Sequence, residues 1–197
     1  IDETMNGGNP IGLIRAFQPV VNGPANGTEQ SVDYIITFVE STDPTNTAVT
    51  LNFFASGIDI DQFPAGNEFI EISLPDAYRT RGTGSNLTIT DPAPGLANAV
   101  RFEATSGGGI AGIGTNDTNA FTNYYEGVSS ITYRAGKTGG PSTRFNSLVF
   151  EDISYTGPTD VYITDPIICG NVSDQNGNSL VNVTVNLSDG QSTLTDL

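Results

Sequence analysis

Short runs of β-branched and aromatic residues, cut by Gly, Pro, Asn and Asp, constrain this chain more than any other feature. In residues 31–40 the side chains of Val32, Tyr34, Ile36 and Phe38 share one face, while Ile35 and Val39 interrupt the polar one. Residues 68–74 alternate again and stop at Pro75. A period of two sends successive side chains to opposite faces of an extended backbone. Helix formers never cluster at helical spacing, so the chain is expected to be all-β.

The same reading places strands at residues 11–17, 31–40, 48–56, 68–74, 87–90, 99–104, 127–134, 145–155 and 161–164. Residues 106–123, with Gly107, Gly108 and Gly109 and few large apolar side chains, read as a long surface or ligand-facing loop. Residues 135–143 read as a Gly-rich loop, and the R-T-R-G-T-G stretch at 79–84 as another. The Gly-rich segments at 107–114 and 79–84 do not precede a helix, so neither has the context of a phosphate-binding loop. About eight to ten strands suffice for a jelly-roll-like two-sheet sandwich over residues 1–164. Asp165-Pro166 marks the expected boundary, and residues 165–197 hold too few strands to bury a core alone.

Composition narrows the function. The chain of 197 residues carries 22 Asp and Glu against 7 Lys and Arg, a formal net charge of −15. That balance argues against nucleic acid and anionic membrane surfaces, and it fits a secreted protein that stays soluble in salty surroundings or carries cations. No apolar run is long enough to span a bilayer. The stretch that starts at Ile1 has no charged n-region or apolar h-region, so any export signal is expected upstream or already removed. Cys169 is the single cysteine, which excludes an intrachain disulfide. It sits in an apolar run and reads as a small core residue.

The hexapeptide G-I-D-I-D-Q at 57–62 is the most pointed candidate site. On an extended strand Asp59 and Asp61 would project to one side, with Ile58 and Ile60 to the other. Two converging carboxylates in so acidic a chain call for a hard cation, and Ca²⁺ is the expected one. Glu68 and Glu40 are the next candidate ligands, with Asp152 weaker, and backbone carbonyls and water would complete the shell. The alternative is a solvated strand end with exposed acids.

Catalysis has little to work with. The chain has no His, so the usual general base and the Ser-His and Cys-His pairs are missing. Zinc is disfavoured for the same reason. A pair of carboxylates on a jelly roll can hydrolyse glycosides, but Trp, a frequent sugar-stacking residue, is absent. A non-enzymatic role is therefore expected. Tyr124 and Tyr125, beside the Gly-rich 106–123 loop, are candidate ligand-binding residues for a glycan. Strand alternation instead predicts one of the two in the core and the other outside.

Two resemblances follow from particular residues. Ile168, Gly170, Val172, Asp174, Gly177, Leu180, Val183, Val185 and Leu187 keep the spacing I-x-G-x-V-x-D-x-x-G-x-x-L-x-x-V-x-V-x-L. That pattern resembles the opening of prealbumin-like modules in collagen-adhesin B-type and carboxypeptidase-regulatory-like families, which implies a stalk spacer. Phe38-Val39-Glu40, Asp59-Ile60-Asp61 and Asn67-Glu68-Phe69 resemble the shared run of acidic β-sandwich modules in Bacteroidota surface and gliding adhesins. Gln62 stands where those modules usually have Gly. The resemblance implies extracellular display and adhesion or filament building. An unfinished tail with open sheet edges suggests strand addition between neighbouring copies.

Overall fold

The computed structural model describes residues 16–22, 28–42, 44–107, 116–140, 143–163, 172–180, 182–186 and 192–194. The chain divides into two compact units, Ile1–Ile163 and Thr164–Leu197. In the first lie β1 (Val20–Val21), β2 (Gln30–Thr37), β3 (Leu51–Ile58), β4 (Gln62–Phe63), β5 (Gly66–Ser73), β6 (Ala77–Arg81) and β7 (Leu87–Thr90). They are followed by β8 (Ala99–Ala104), β9 (Phe121–Val128), β10 (Ser130–Gly139), β11 (Arg144–Phe145), β12 (Ser147–Val149) and β13 (Pro158–Tyr162). The second unit holds β14 (Thr184–Asn186) paired with β15 (Ser192–Leu194). Its 174–178 turn is closed by Asp174, whose carboxylate accepts the Asn176 and Asn178 amides at 2.8 and 2.9 Å. Cys169 lies outside the described residues.

The first unit is an all-β sandwich. One antiparallel sheet runs β2-β10-β5-β8-β7, with β4 on β5, and the other runs β12-β3-β9-β6-β13. Successive strands pass repeatedly from one sheet to the other, the crossing pattern of a jelly-roll-like sandwich. Alternation explains the layers. Ile70, Ile72, Val100, Phe102, Ile131 and Tyr133 face inward from the first sheet and meet Ala55, Phe121, Tyr125 and Leu148 from the second. Phe102 and Phe121 stack across the gap with centroids 3.7 Å apart. Among the described residues, no helix is long and apolar enough to cross a membrane.

Several local expectations change; the strand expected at 127–134 is divided at Ser129 between β9 and β10, and the loop expected at 106–123 ends in a 3₁₀ turn and the start of β9. Residues 135–139 belong to β10, because Gly136 opposes Phe69 across the ladder and leaves room for its ring. A Cβ on Gly136 would run into that ring. Gly136→Ala is expected to cost about 2–3 kcal/mol by overpacking, read as a lower urea midpoint. The 79–84 stretch begins inside β6, not in a loop. The long strand expected at 145–155 breaks after Val149, since Ser56 Oγ bonds Glu151 O at 2.6 Å and draws that segment across the sheet.

The outward face of the first sheet carries a charged row. Asp33, Arg134, Glu71 and Arg101 stand directly opposite one another on β2, β10, β5 and β8. Glu71 is 0% exposed and accepts from Arg101 at 3.2 Å and Arg134 at 3.3 Å. Arg101 also reaches Glu29 and Glu103, and its guanidinium lies 3.6 Å above the Phe69 ring. Each buried charge thus has opposite charges around it, which is the condition for burying it at all.

Candidate functional site

Two places on the sandwich gather chemistry: an acidic corner at the end of β3 and an aromatic groove on the outer face of the second sheet. The corner departs from the extended geometry of the sequence reading. β3 stops at Ile58, and Asp59 adopts φ +62°, the left-handed region. That turn breaks the period of two, so Asp59 and Asp61 are not successive residues on one strand face. Ile58 and Ile60 then enter different apolar clusters.

Asp61 and Glu68 do come together. Both are 4% exposed. The Asp61 N–H donates to Glu68 Oε2 at 3.0 Å, and the Glu68 N–H donates to Asp61 O at 2.9 Å. Asn119, on a single 3₁₀ turn, donates from Nδ2 to Asp61 Oδ1 at 3.0 Å and to Ile60 O at 2.8 Å. Burial pushes the Glu68 carboxyl up to about 8; the Asp61 N–H and Arg144 oppose the rise, while the Asp61 and Asp59 charges add to it. Arg144 Nε sits 3.7 Å from Glu68 Oε1, and its guanidinium stacks 3.9 Å above Phe63. Lys137, opposite Glu68 in the ladder, is buried and donates from Nζ to Gly140 O at 3.0 Å.

Glu40 is not part of this corner. It follows β2 beside the Val39–Ala48 bridge, near the start of β3, whereas Asp59 follows its end. Eight strand residues separate the two by about 25 Å. Glu40 is exposed, and its Oε1 accepts from Thr42 Oγ1 at 3.4 Å. Asp152 is tied elsewhere too, 3.2 Å from Arg79. Among the described residues no three Asp, Glu or Cys side chains gather as a metal-binding group.

The groove is built by register. Phe54 on β3, Tyr124 on β9, Ala77 on β6 and Tyr162 on β13 stand opposite one another in one row. The next row on the same face is Ser56, Thr122, Arg79 and Asp160. Ala77 is the small member of its row, so the surface sinks there, and Phe54, Tyr124, Tyr162, Arg79 and Asp160 line a groove of about 280 Å³. Phe54 and Tyr124 pack ring to ring at 5.4 Å, and Tyr162 is 75% exposed. Arg79 Nε donates to Asp160 Oδ1 at 2.6 Å, a bond that holds the guanidinium above its ordinary pKa.

Tyr125 points the other way, into the core. It stacks on Phe53 at 5.0 Å, donates from its hydroxyl to Ser73 O at 2.6 Å, and accepts from Asn123 Nδ2 at 3.2 Å. Burial raises its phenol well above the usual range. Alternation along β9 therefore separates the tyrosine pair, leaving Tyr124 in the groove and Tyr125 as structure. Phe54, Arg79, Asp160 and Tyr162 were not singled out in the sequence. Their signal was the i, i+2 spacing of Arg79 from Ala77 and of Tyr162 from Asp160, hidden while 79–84 read as a loop.

Comparison of the chain with protein-family models, with curated proteins and with solved structures returns no match.

Proposed function

We propose that this chain is a non-enzymatic adhesion module of an extracellular surface protein, and that the sandwich grips its target through the aromatic groove. The supporting observation is the pair of rows on β3, β9, β6 and β13: apolar rings beside a charged fork, on a rigid sheet. Rings with a polar neighbour bind by stacking and hydrogen bonding and need no nucleophile. The absence of His in the sequence fits that reading. The test is retention of latex beads coated with the full chain on collagen, mucin and glass. At least one surface should hold them, and Tyr124→Ala with Tyr162→Ala should abolish the retention. Beads that adhere no better than uncoated ones on all three surfaces would remove the proposal.

Filament building by strand addition is a second reading. Among the described residues β2 ends its sheet, and its Ile35 is 76% exposed. A neighbouring copy adding a strand to that edge would cover it. Negative-stain micrographs of the full chain would show rods if this is so and single particles if not. Calcium at Asp59, Asp61 and Glu68 belongs to the same proposal as a stabiliser, favoured by the mutual repulsion of these acids. A cation would relieve it, but so does a proton on Glu68. A thermal midpoint at pH 7.5 unchanged by EDTA would discard the metal and leave the proton.

A further inference from the structure

We infer that the groove over β3, β9, β6 and β13 binds the pyranose rings of a neutral polysaccharide, with Tyr124 and Tyr162 as stacking platforms and Arg79 and Asp160 as the hydroxyl-binding fork. This rests on the adhesion proposal and names the ligand of that surface.

The row spacing sets the first requirement. Tyr124 and Tyr162 lie two strands apart, with only Ala77 between them. Two strand spacings are about 10 Å, close to the span of two linked sugar rings. A pyranose presents apolar C–H faces and a rim of hydroxyls. The faces fit against aromatic rings, which bury apolar area and offer an electron-rich surface to the C–H groups. The rim needs a donor and an acceptor side by side. Arg79 supplies planar N–H donors and Asp160 supplies carboxylate oxygens, 2.6 Å apart and in the row next to the rings.

Other occupants fit less well. An apolar peptide would cover Arg79 and Asp160 without giving them new partners, which costs free energy. A sulfated or sialylated glycan, or a nucleic acid, would meet Asp152 and Asp160 at the groove and a chain of net charge −15. Arg79 is already shared between those two carboxylates, so it offers hydrogen bonds more than net charge. A neutral sugar alone satisfies both rows. At about 280 Å³ the groove has room for one or two rings, which suits a long chain laid across the sheet and gripped over a short stretch.

The experiment is affinity electrophoresis of the full chain through gels containing mixed-linkage glucan, xylan or galactomannan, with titration calorimetry against oligosaccharides of whichever polymer retards it. The same gels with heparin and polysialic acid form the charged arm. Retardation by at least one neutral polymer is expected. Tyr124→Ala and Tyr162→Ala should each weaken it about tenfold, with circular dichroism unchanged. Tyr124→Phe keeps the ring and should retain binding within about twofold, a result that mere loss of packing would not give. Retardation only by heparin or polysialic acid, by none of the polymers, or equally by the native chain and both alanine variants would overturn the assignment. Bead adhesion lost on Tyr124→Ala while no neutral polymer binds would leave the adhesion proposal standing and the sugar class refuted. Native beads that adhere to none of the surfaces, together with a native chain that no neutral polymer retards, would remove the groove itself as a functional surface.

Discussion

At pH 9, Glu68→Gln is expected to unfold at higher urea concentration than the unaltered chain, with a gain of about 3–5 kcal/mol. The carboxyl is buried against Asp61 and Asp59, and its folded pKa rises from 4.5 to about 8. The folded state therefore keeps a proton that the unfolded state releases. That contribution is complete below pH 4.5 and drains away as the pH climbs through 8. Glutamine has no proton to lose, and its carbonyl can still accept the Asp61 N–H. At pH 4 the two proteins should agree within about 1 kcal/mol. Other carboxylates act in the opposite sense: Arg134 depresses Asp33, and the Thr156 N–H depresses Asp117, so both lose stability in acid. Subtracting the variant's pH profile from that of the unaltered chain isolates Glu68. A difference that stays flat from pH 4.5 to 8.5 would show that Glu68 is ionised throughout, by water or by a cation.

Glu71→Ala should be the most damaging single substitution on the first sheet, at about 3–5 kcal/mol. It removes the shared carboxylate between Arg101 and Arg134 and the acceptor of the Gly95 N–H at 3.2 Å. Arg101 is itself only 5% exposed at its side chain. Removing one member of a buried charged set leaves the others without their solvent and without their partner. Glu29, Glu103 and Asp33 soften the loss, since each still faces one of the arginines. The double variant Glu71→Ala, Arg101→Ala should lose less than the sum of the two single losses, because the residual charge is gone. Urea melts of the three variants measure this. A Glu71→Ala loss under about 1 kcal/mol would mean that the row is solvated and holds little of the sheet.

The legible and illegible parts of the fold divide by range of interaction. β2, β5, β7 and β8 could be read because their own alternation shows which side chains need burial. β6 could not, since A-Y-R-T-R reads as polar until β9 and β13 flank it and Tyr78 packs on Phe102 of the other sheet. The end of β10 was hidden by glycines whose role is to admit the Phe69 ring from the next strand. At the acidic corner, Asp61 and Glu68 were identifiable as acids near a strand end. Their mutual hydrogen bonds, the Asn119 clamp and the exclusion of Glu40 were not, because Asp59 leaves the extended region and the length of β3 stands between it and Glu40.

By itself the sequence determined that the chain would be all-β with one apolar face per strand, because a period of two is a local property of the backbone and its solvent. It also determined an acidic, His-free surface. Which strands became neighbours, and at what register, was decided only in three dimensions. That choice sets Phe54, Tyr124, Ala77 and Tyr162 in one row and Ser56, Thr122, Arg79 and Asp160 in the next. Pairing partners far apart in the chain are selected by the shared core they close, and no stretch of sequence read alone contains that free energy.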